Sequence, residues 1–432
     1  MANALDPHAA IATTATGLTD GALRTADGRP LVRALARSQS LARRRAFLLV
    51  LPLLAFILIT FVVPIGQMLQ RSFYNDGFSA HMPQLSQWFA DNPRGVEPDD
   101  AAWTALATDL QAAAEGRTIG IVGTRINYDV PGTRSLFTST GRQVRRGLEP
   151  PYQAALLDIN EDWGSPQLWS AMRNAATPLT GNFYLAAVDR SRADDGSIVQ
   201  VEERQQVYVM LFMRTFWLSL VITAITFILG FPIAHLLATL PMRKSNLLMI
   251  LVLLPFWTSL LVRTTSWMVL LQQQGVINDV LVWLGVIGGS QRLQMIYNQT
   301  GTIIAMTHIL LPFMILPLYS VMRTINPSYV RAARSLGATS WTAFRRVYFP
   351  QTLPGLGAGA LLVFILAVGY YITPALVGGS SGQLISNMIA MHMTDTLNWS
   401  MAAALAALLL GAVLLLYWVY DRMVGIDNLK LG

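Results

Sequence analysis

The sequence contains no cysteine, which excludes a disulfide framework, a thiolate nucleophile and any cysteine-based metal centre. Charge is scarce: 13% of the 432 residues are charged, where an ordinary soluble domain carries roughly a quarter. No Gly-x-x-x-x-Gly-Lys-Ser/Thr loop occurs, so the chain lacks the usual cradle for nucleotide phosphates. No His/Glu spacing matches a zinc hydrolase. Carboxylates are few within the long apolar runs, which argues against a proton-coupled carrier built on buried acids. What remains is apolar: 53% of the residues are hydrophobic, the composition of an integral membrane protein.

The net charge of +7 is not spread evenly. Between Arg71 and Arg204 lie 17 of the 24 Asp+Glu and only 12 of the 31 Lys+Arg. The rest of the chain therefore holds 7 acids and 19 bases. A basic excess confined to short connections is the positive-inside signature, not that of a nucleic-acid binder. Six runs reach the roughly 20 apolar residues needed to cross a bilayer as a helix. They are Ala46–Leu69, Thr215–Leu240, Leu247–Leu271, Gly301–Met322, Gly355–Val377 and Met401–Tyr420. Threaded in order, they put the N-terminal arginines, Arg243–Lys244, the Arg323–Arg346 cluster, Arg422 and Lys430 on one side. The insert after the first run falls on the other, with Gln272–Thr300 and Gly378–Ser400. Both termini are then expected in the cytoplasm. Arg43–Arg45 precede the first run, which is too long for a signal-peptide core and reads as an uncleaved anchor.

The resulting plan is an N-terminal tail (1–45), a first span (46–69), an external insert (70–207), a five-helix core (208–423) and a C-terminal tail (424–432). The insert is polar and mixes turn signals with short apolar runs, such as Thr118–Val122 and Phe183–Val188. Two readings stay open for it: a small mixed α/β domain, or a partly ordered excursion packed on the membrane part. Prolines recur in the spans, at 52, 64, 232, 255, 312, 317 and 374. Such breaks need neighbouring protein or a cavity to satisfy the freed carbonyls, so they favour a packed bundle around a pathway. His235 and His308 lie within spans and are expected to be neutral, each bonded to a carbonyl.

The basic connection 323–354 carries the most specific local signal. Asn326 can cap a helix with Pro327 at its first position, and Gly337 supplies the left-handed residue that ends it. Thr339 or Ser340 can cap a second helix through Trp341, Phe344 and Val347, which Pro350 and Pro354 are expected to terminate. Ala332 and Ala333, Leu336-Gly337, Phe344, Pro350 and Leu353-Pro354-Gly355 resemble the EAA loop of ABC-importer permeases. Pro255-Phe256-Trp257-Thr258-Ser259, Arg263, Trp267, Gly369-Tyr370-Tyr371-Ile372-Thr373-Pro374 and Asn398-Trp399 resemble the spermidine/putrescine branch.

The resemblance implies an all-α type I importer permease of six transmembrane helices in the bacterial inner membrane. Its implied partners are a second permease subunit, an ATPase dimer and an external solute-binding protein. It implies no catalytic residue, metal or cofactor here, ATP and magnesium being bound by the ATPase. The loop, with Arg331, Ala332, Ala333, Leu336, Gly337, Phe344 and Pro350, is expected to dock on the ATPase. Arg331 departs from the pattern, which has Glu there. A polycationic cargo calls for carboxylates and aromatic faces, and Trp257, Trp267, Asp279, Tyr370, Tyr371 and Asp395 are the candidates. Arg263 is expected to pair with Asp279 or with a carbonyl of the second permease. The same fold also serves ferric iron or small anions. A receptor or anchor with an external sensing domain is the reading from another class. It calls for a signalling domain after the last span, where about a dozen residues follow.

Overall fold

The computed structural model describes residues 31–193 and 195–424. Residues 1–30 of the expected N-terminal tail, and 425–432 with Lys430, lie outside the described residues. The chain forms two compact units, Met1–Gln67 and Met68–Gly432. Helix α1 (Leu31–Ile57) of the first continues through a π-helical turn, Leu58–Val62, into α2 (Val63–Phe73). The stretch suited to a bilayer is Gln39–Phe73, longer at both ends than the apolar run. Pro64 enters the helix directly after the π turn, where an i→i−5 bond from Val63 to Leu58 has already shifted the register.

The insert folds around its own core and is helical. It contains α3 (Pro83–Asp91), α4 (Asp100–Glu115), α5 (Ile119–Asn127), α6 (Thr133–Val144), α7 (Tyr152–Ile159), α8 (Pro166–Ala175) and α9 (Asn182–Ala187). Among the described residues its β content is one antiparallel hairpin, β1 (Arg190–Arg192) with β2 (Ile198–Gln200), in register Ser191 opposite Val199, and a single bridge between Tyr74 and Leu179. Phe78, Leu106, Phe137, Trp163 and Met172 are buried at the centre. The Trp163 indole donates to the Thr140 hydroxyl at 3.0 Å, whereas the Trp103 Nε1 of the same core has no hydrogen-bond partner among the described residues. Asp109 accepts from the Leu85 N–H at 2.8 Å and so caps α3 from a neighbouring helix. Burial pushes its carboxyl above the ordinary range, and the backbone donors at Leu85 and Gln84 pull it back.

The core follows with α10 (Tyr208–Thr239), α11 (Met242–Leu253), α12 (Leu260–Leu270), α13 (Val276–Trp283), α14 (Gln299–Thr324), α15 (Pro327–Ser335), α16 (Ser340–Ala343), α17 (Phe349–Gly369), α18 (Ile372–Val377), α19 (Gly379–Gly382), α20 (Ile385–Thr394) and α21 (Trp399–Val424). Five helices in the described chain are long and apolar enough to cross a membrane, or six if one bent pair counts as a span. That pair corrects the straight span expected at Leu247–Leu271: Met242–Trp257 and Leu260–Leu270 meet at 96°. Pro255 lies in the 3-10 turn Leu254–Trp257, and Thr258 and Ser259 are extended, so the helix cannot continue through them. The span expected over Gly355–Val377 likewise stops at Gly369, where Tyr370 turns extended before α18.

Helices α10, α14 and α17 make the centre of the core, packing Leu218, Ile222, Met306, Ile309, Met314 and Val363 together. A Cβ on Gly355 would stand 2.9 Å from the Pro317 carbonyl, so only glycine permits α14 and α17 to approach this closely. At one end of the bundle Tyr297 N–H meets the Val377 carbonyl, Thr302 meets Gly382, and Tyr128 and Asn75 of the insert reach Leu397 and Ser400. At the other, Arg323 donates to the Ala238 carbonyl and Ser245 to that of Leu237. Within the second unit, the insert and parts of 272–300 and 378–400 thus meet at one end, and 237–245 and Arg323 at the other.

The insert is fastened to the core by a capping carboxylate. Asp189 adopts a left-handed backbone (φ 56°) after α9 and turns its side chain onto the N-terminus of α10. It accepts from Val207, Tyr208 and Val209 N–H at 3.1, 3.0 and 2.8 Å, three of the donors a helix start leaves unmet. Beside it, Phe183 and Ala187 bury against Leu211, Ile385, Met401 and Leu405. Asp189→Ala is expected to lower stability by about 2 kcal/mol, with Asp189→Asn falling between it and the native chain. The thermal unfolding midpoint in detergent checks this, and an unchanged midpoint contradicts it.

Candidate functional site

The Asn326–Gly355 segment takes its shape from its caps. The Asn326 side chain accepts from Ser328 N–H at 2.9 Å, Pro327 occupies the first helical position, and Gly337 has φ 90°. Thr339 caps the next helix through Thr342 N–H at 3.2 Å. No residue of α15 is buried, and Leu336 is 89% exposed. Arg331, Ala332 and Pro350 are exposed, Ala333 and Phe344 half-buried. The segment therefore offers an uncovered surface of arginines and apolar side chains, held from beneath. Phe344 sits against Trp341, Tyr348 and Phe231, and the Tyr348 hydroxyl bonds His235 Nδ1 at 3.0 Å.

The prolines do not terminate the second helix. Phe344–Tyr348 form a π turn in which Phe349 N–H reaches the Phe344 carbonyl, and Pro350 follows directly, where the hydrogen-bond register is already shifted. Gln351 Nε2 donates to the Val347 carbonyl at 2.7 Å. Ser340–Gly369 therefore runs as one helical stretch from the exposed segment into the core.

The expected path residues divide. Trp267 Nε1 donates to His308 Nδ1 at 3.1 Å, and the Thr264 and Thr373 hydroxyls meet at 3.1 Å, which brings α12 beside α18 just past Tyr370. Because Nδ1 accepts, the proton of the neutral ring sits on Nε2. Both membrane histidines thus bond side chains, not the carbonyls expected, because each faces an aromatic residue with its own polar atom. Trp257 is 77% exposed at the bent-helix break, and Tyr371 is exposed, its carbonyl taken by Asn387 at 2.8 Å. Asp279 pairs with Arg292 at 2.8 Å, so the expected Arg263–Asp279 pair is not formed. Asp395 is exposed at the end of α20 and accepts from the Thr394 hydroxyl. The sequence pointed to His308 only as an isolated intramembrane histidine; Trp267, spaced for another helix, was the missing half.

The model of the family described as "binding-protein-dependent transport system inner membrane component" matches residues 207–424, half of the chain. This chain belongs to that family. The matched region is the helical core with its exposed basic segment; the insert lies outside it. The permease is 35% identical over 220 residues to the spermidine/putrescine transport system permease protein PotB of Escherichia coli (strain K12), covering 50% of this chain and 79% of that one. It is 33% identical over 236 residues to the Haemophilus influenzae protein of the same name, covering 54% and 82%. Among solved structures it is similar to a bacterial ABC transporter involved in the import of the acidic polysaccharide alginate. That match has 20% identity and a TM-score of 0.41, over 50% of this chain and 78% of the other.

Trp267→Phe keeps the ring and removes the N–H, and is expected to cost about 1 kcal/mol. Combined with His308→Ala, it should show a coupling of about 1 kcal/mol in a double-mutant cycle of thermal stability, where additive effects would contradict the bond.

Proposed function

We propose that this permease is a membrane subunit of an ATP-driven importer for polyamines of the spermidine/putrescine kind. The observation that carries the reading is the 35% identity to spermidine/putrescine permeases across the core. In this reading both termini and the Asn326–Gly355 segment lie in the cytoplasm and the insert faces the outside. The permease pairs with a second permease subunit, receives cargo from an external binding protein, and meets an ATPase dimer that holds ATP and magnesium.

The exposed segment is the surface for the ATPase, with Leu336 and the half-buried Phe344 as its apolar contacts and Gly337 setting the angle between its helices. ATP-driven closure moves the segment, and the unbroken helix Ser340–Gly369 carries that motion into the bundle. What drives transport is a difference in contact free energy between inward- and outward-open states. Trp267 and Tyr370 line the path, where aromatic faces attract a cation. Trp257, Tyr371, Asp279 and Asp395 serve at its outer entrance. The insert is a surface for the binding protein.

Arg331 stands where the resemblance to the EAA loop implies Glu, so in this reading the ATPase answers it with a carboxylate. Arg331→Glu is expected to reduce ATP-dependent spermidine uptake in proteoliposomes by about tenfold or more, because like charges then face each other across the contact. Uptake at the native rate contradicts the ion pair. For the cargo, the partner binding protein is expected to bind spermidine or putrescine and to stimulate ATP hydrolysis when loaded. A binding protein that takes no polyamine removes the cargo assignment and leaves the permease.

A further inference from the structure

Arg263 lies in the first turn of α12, just past the 96° break, in a segment read as part of a membrane span. Its Nε is buried and has no hydrogen-bond partner. Among the described residues no carboxylate pairs with it: the two salt bridges are Arg125–Asp129 in the insert and Arg292–Asp279. Over residues 208–424 there are three acids, Asp279, Asp395 and Asp421, against eleven bases. The first two are engaged elsewhere, and Asp421 is near the far end of α21. An unmatched guanidinium in a bilayer is strongly disfavoured, and such residues face a partner or a cavity.

Thr264, next to Arg263, bonds Thr373 three residues past Tyr370, and Trp267 one turn on holds His308, so Tyr370 and His308 both lie by this part of α12 as donors in want of an acceptor. With His308 Nδ1 taken by Trp267, the Nε2–H points to no acceptor among the described residues. The Tyr370 hydroxyl likewise bonds nothing there, although its backbone carbonyl holds Ser386. A charged donor and two neutral ones therefore gather without an anion. On the same helix α12, Leu261, Val262 and Val269 are exposed. A neighbouring helix bearing one acidic side chain supplies the acceptor and packs on those side chains in place of lipid. It also neutralises a charge that would repel a polycationic cargo.

We infer that an Asp or Glu carboxylate from a span of the second permease subunit is received among Arg263, His308 and Tyr370, so that this site is complete only in the assembled pair. The inference rests on the pairing with a second permease proposed above. It makes Arg263 a positioning residue for the interface, not a cargo ligand.

The test uses the assembled importer in proteoliposomes. Arg263→Glu is expected to lower both co-purification of the second permease and spermidine uptake by about tenfold or more, with Arg263→Lys retaining part of each. Selection for suppressors of Arg263→Glu should return an acid-to-base change in one span of the second permease, restoring uptake to within about threefold. A photo-crosslinker at Val262 reports the same contact without disturbing the charge, and should capture the second permease.

Native uptake and assembly in Arg263→Gln would overturn the inference. So would native activity that rises with added sulfate or phosphate and loses that dependence in Arg263→Gln, which marks a free anion. Crosslinks to lipid alone, or dependence on the anionic lipid fraction, point to a headgroup and also overturn it. If the unmutated chain pairs only with itself, or with no permease, the importer arrangement itself has failed, a result read before any variant is made.

Discussion

One backbone device joins the exposed basic segment to the bundle: a π-helical turn that admits a proline without stopping the helix. Phe344–Tyr348 shift the hydrogen-bond register by one residue, Pro350 enters just beyond it, and Gln351 takes up the Val347 carbonyl. Without that turn, Pro350 and Pro354 would divide the segment from α17, and a push on Leu336 or Trp341 would be lost in a hinge. With it, Ser340–Gly369 is one stretch whose middle lies against α14 at Gly355 and whose base is bonded to α10 through Tyr348 and His235. The same device appears in the first span, where Pro64 follows the π turn Leu58–Val62. In lipid, where a freed carbonyl has no water to turn to, pairing a register shift with a proline keeps the ladder nearly whole.

Much of this was legible before any coordinates. Apolar length located most of the spans, and Asn326, Pro327, Gly337 and Thr339 marked the helix pair by the chemistry of caps alone. Prolines were read less well, because a proline's effect depends on hydrogen-bond register, which is not a local property of sequence. Pro255 breaks a helix by 96° while Pro350 breaks nothing. Side-chain pairing was the other gap. Arg263 and Asp279 are close in the chain, yet Arg292 takes the acid, and His308 meets Trp267 from another helix. The insert defeated periodicity for a related reason: its short amphipathic helices are defined by a shared core around Trp163, which only the tertiary fold assembles.

Charge is used sparingly and at boundaries. Asp189 joins the insert to α10 by capping three N–H groups, Asp279 and Arg292 pair in the connection after α12, and the arginines of the basic segment stand in the open. Inside the bundle polar atoms meet in neutral pairs, Tyr348 with His235 and Trp267 with His308. Arg263 departs from that pattern, and so directs attention outside the chain for its counter-charge.

The absence of cysteine makes the central claim directly measurable, since introduced cysteines are the only thiols this chain carries. Spin labels at Arg345 and Leu362 report the length of the Ser340–Gly369 stretch, and labels at Leu362 and Val269 report its position against α12. In the assembled importer, ATP binding should leave the first distance and its width unchanged while the second shifts. A first distance that shortens or broadens on ATP binding, with the second unmoved, would show the helix bending at the π turn and contradict a rigid connection between the exposed segment and the path.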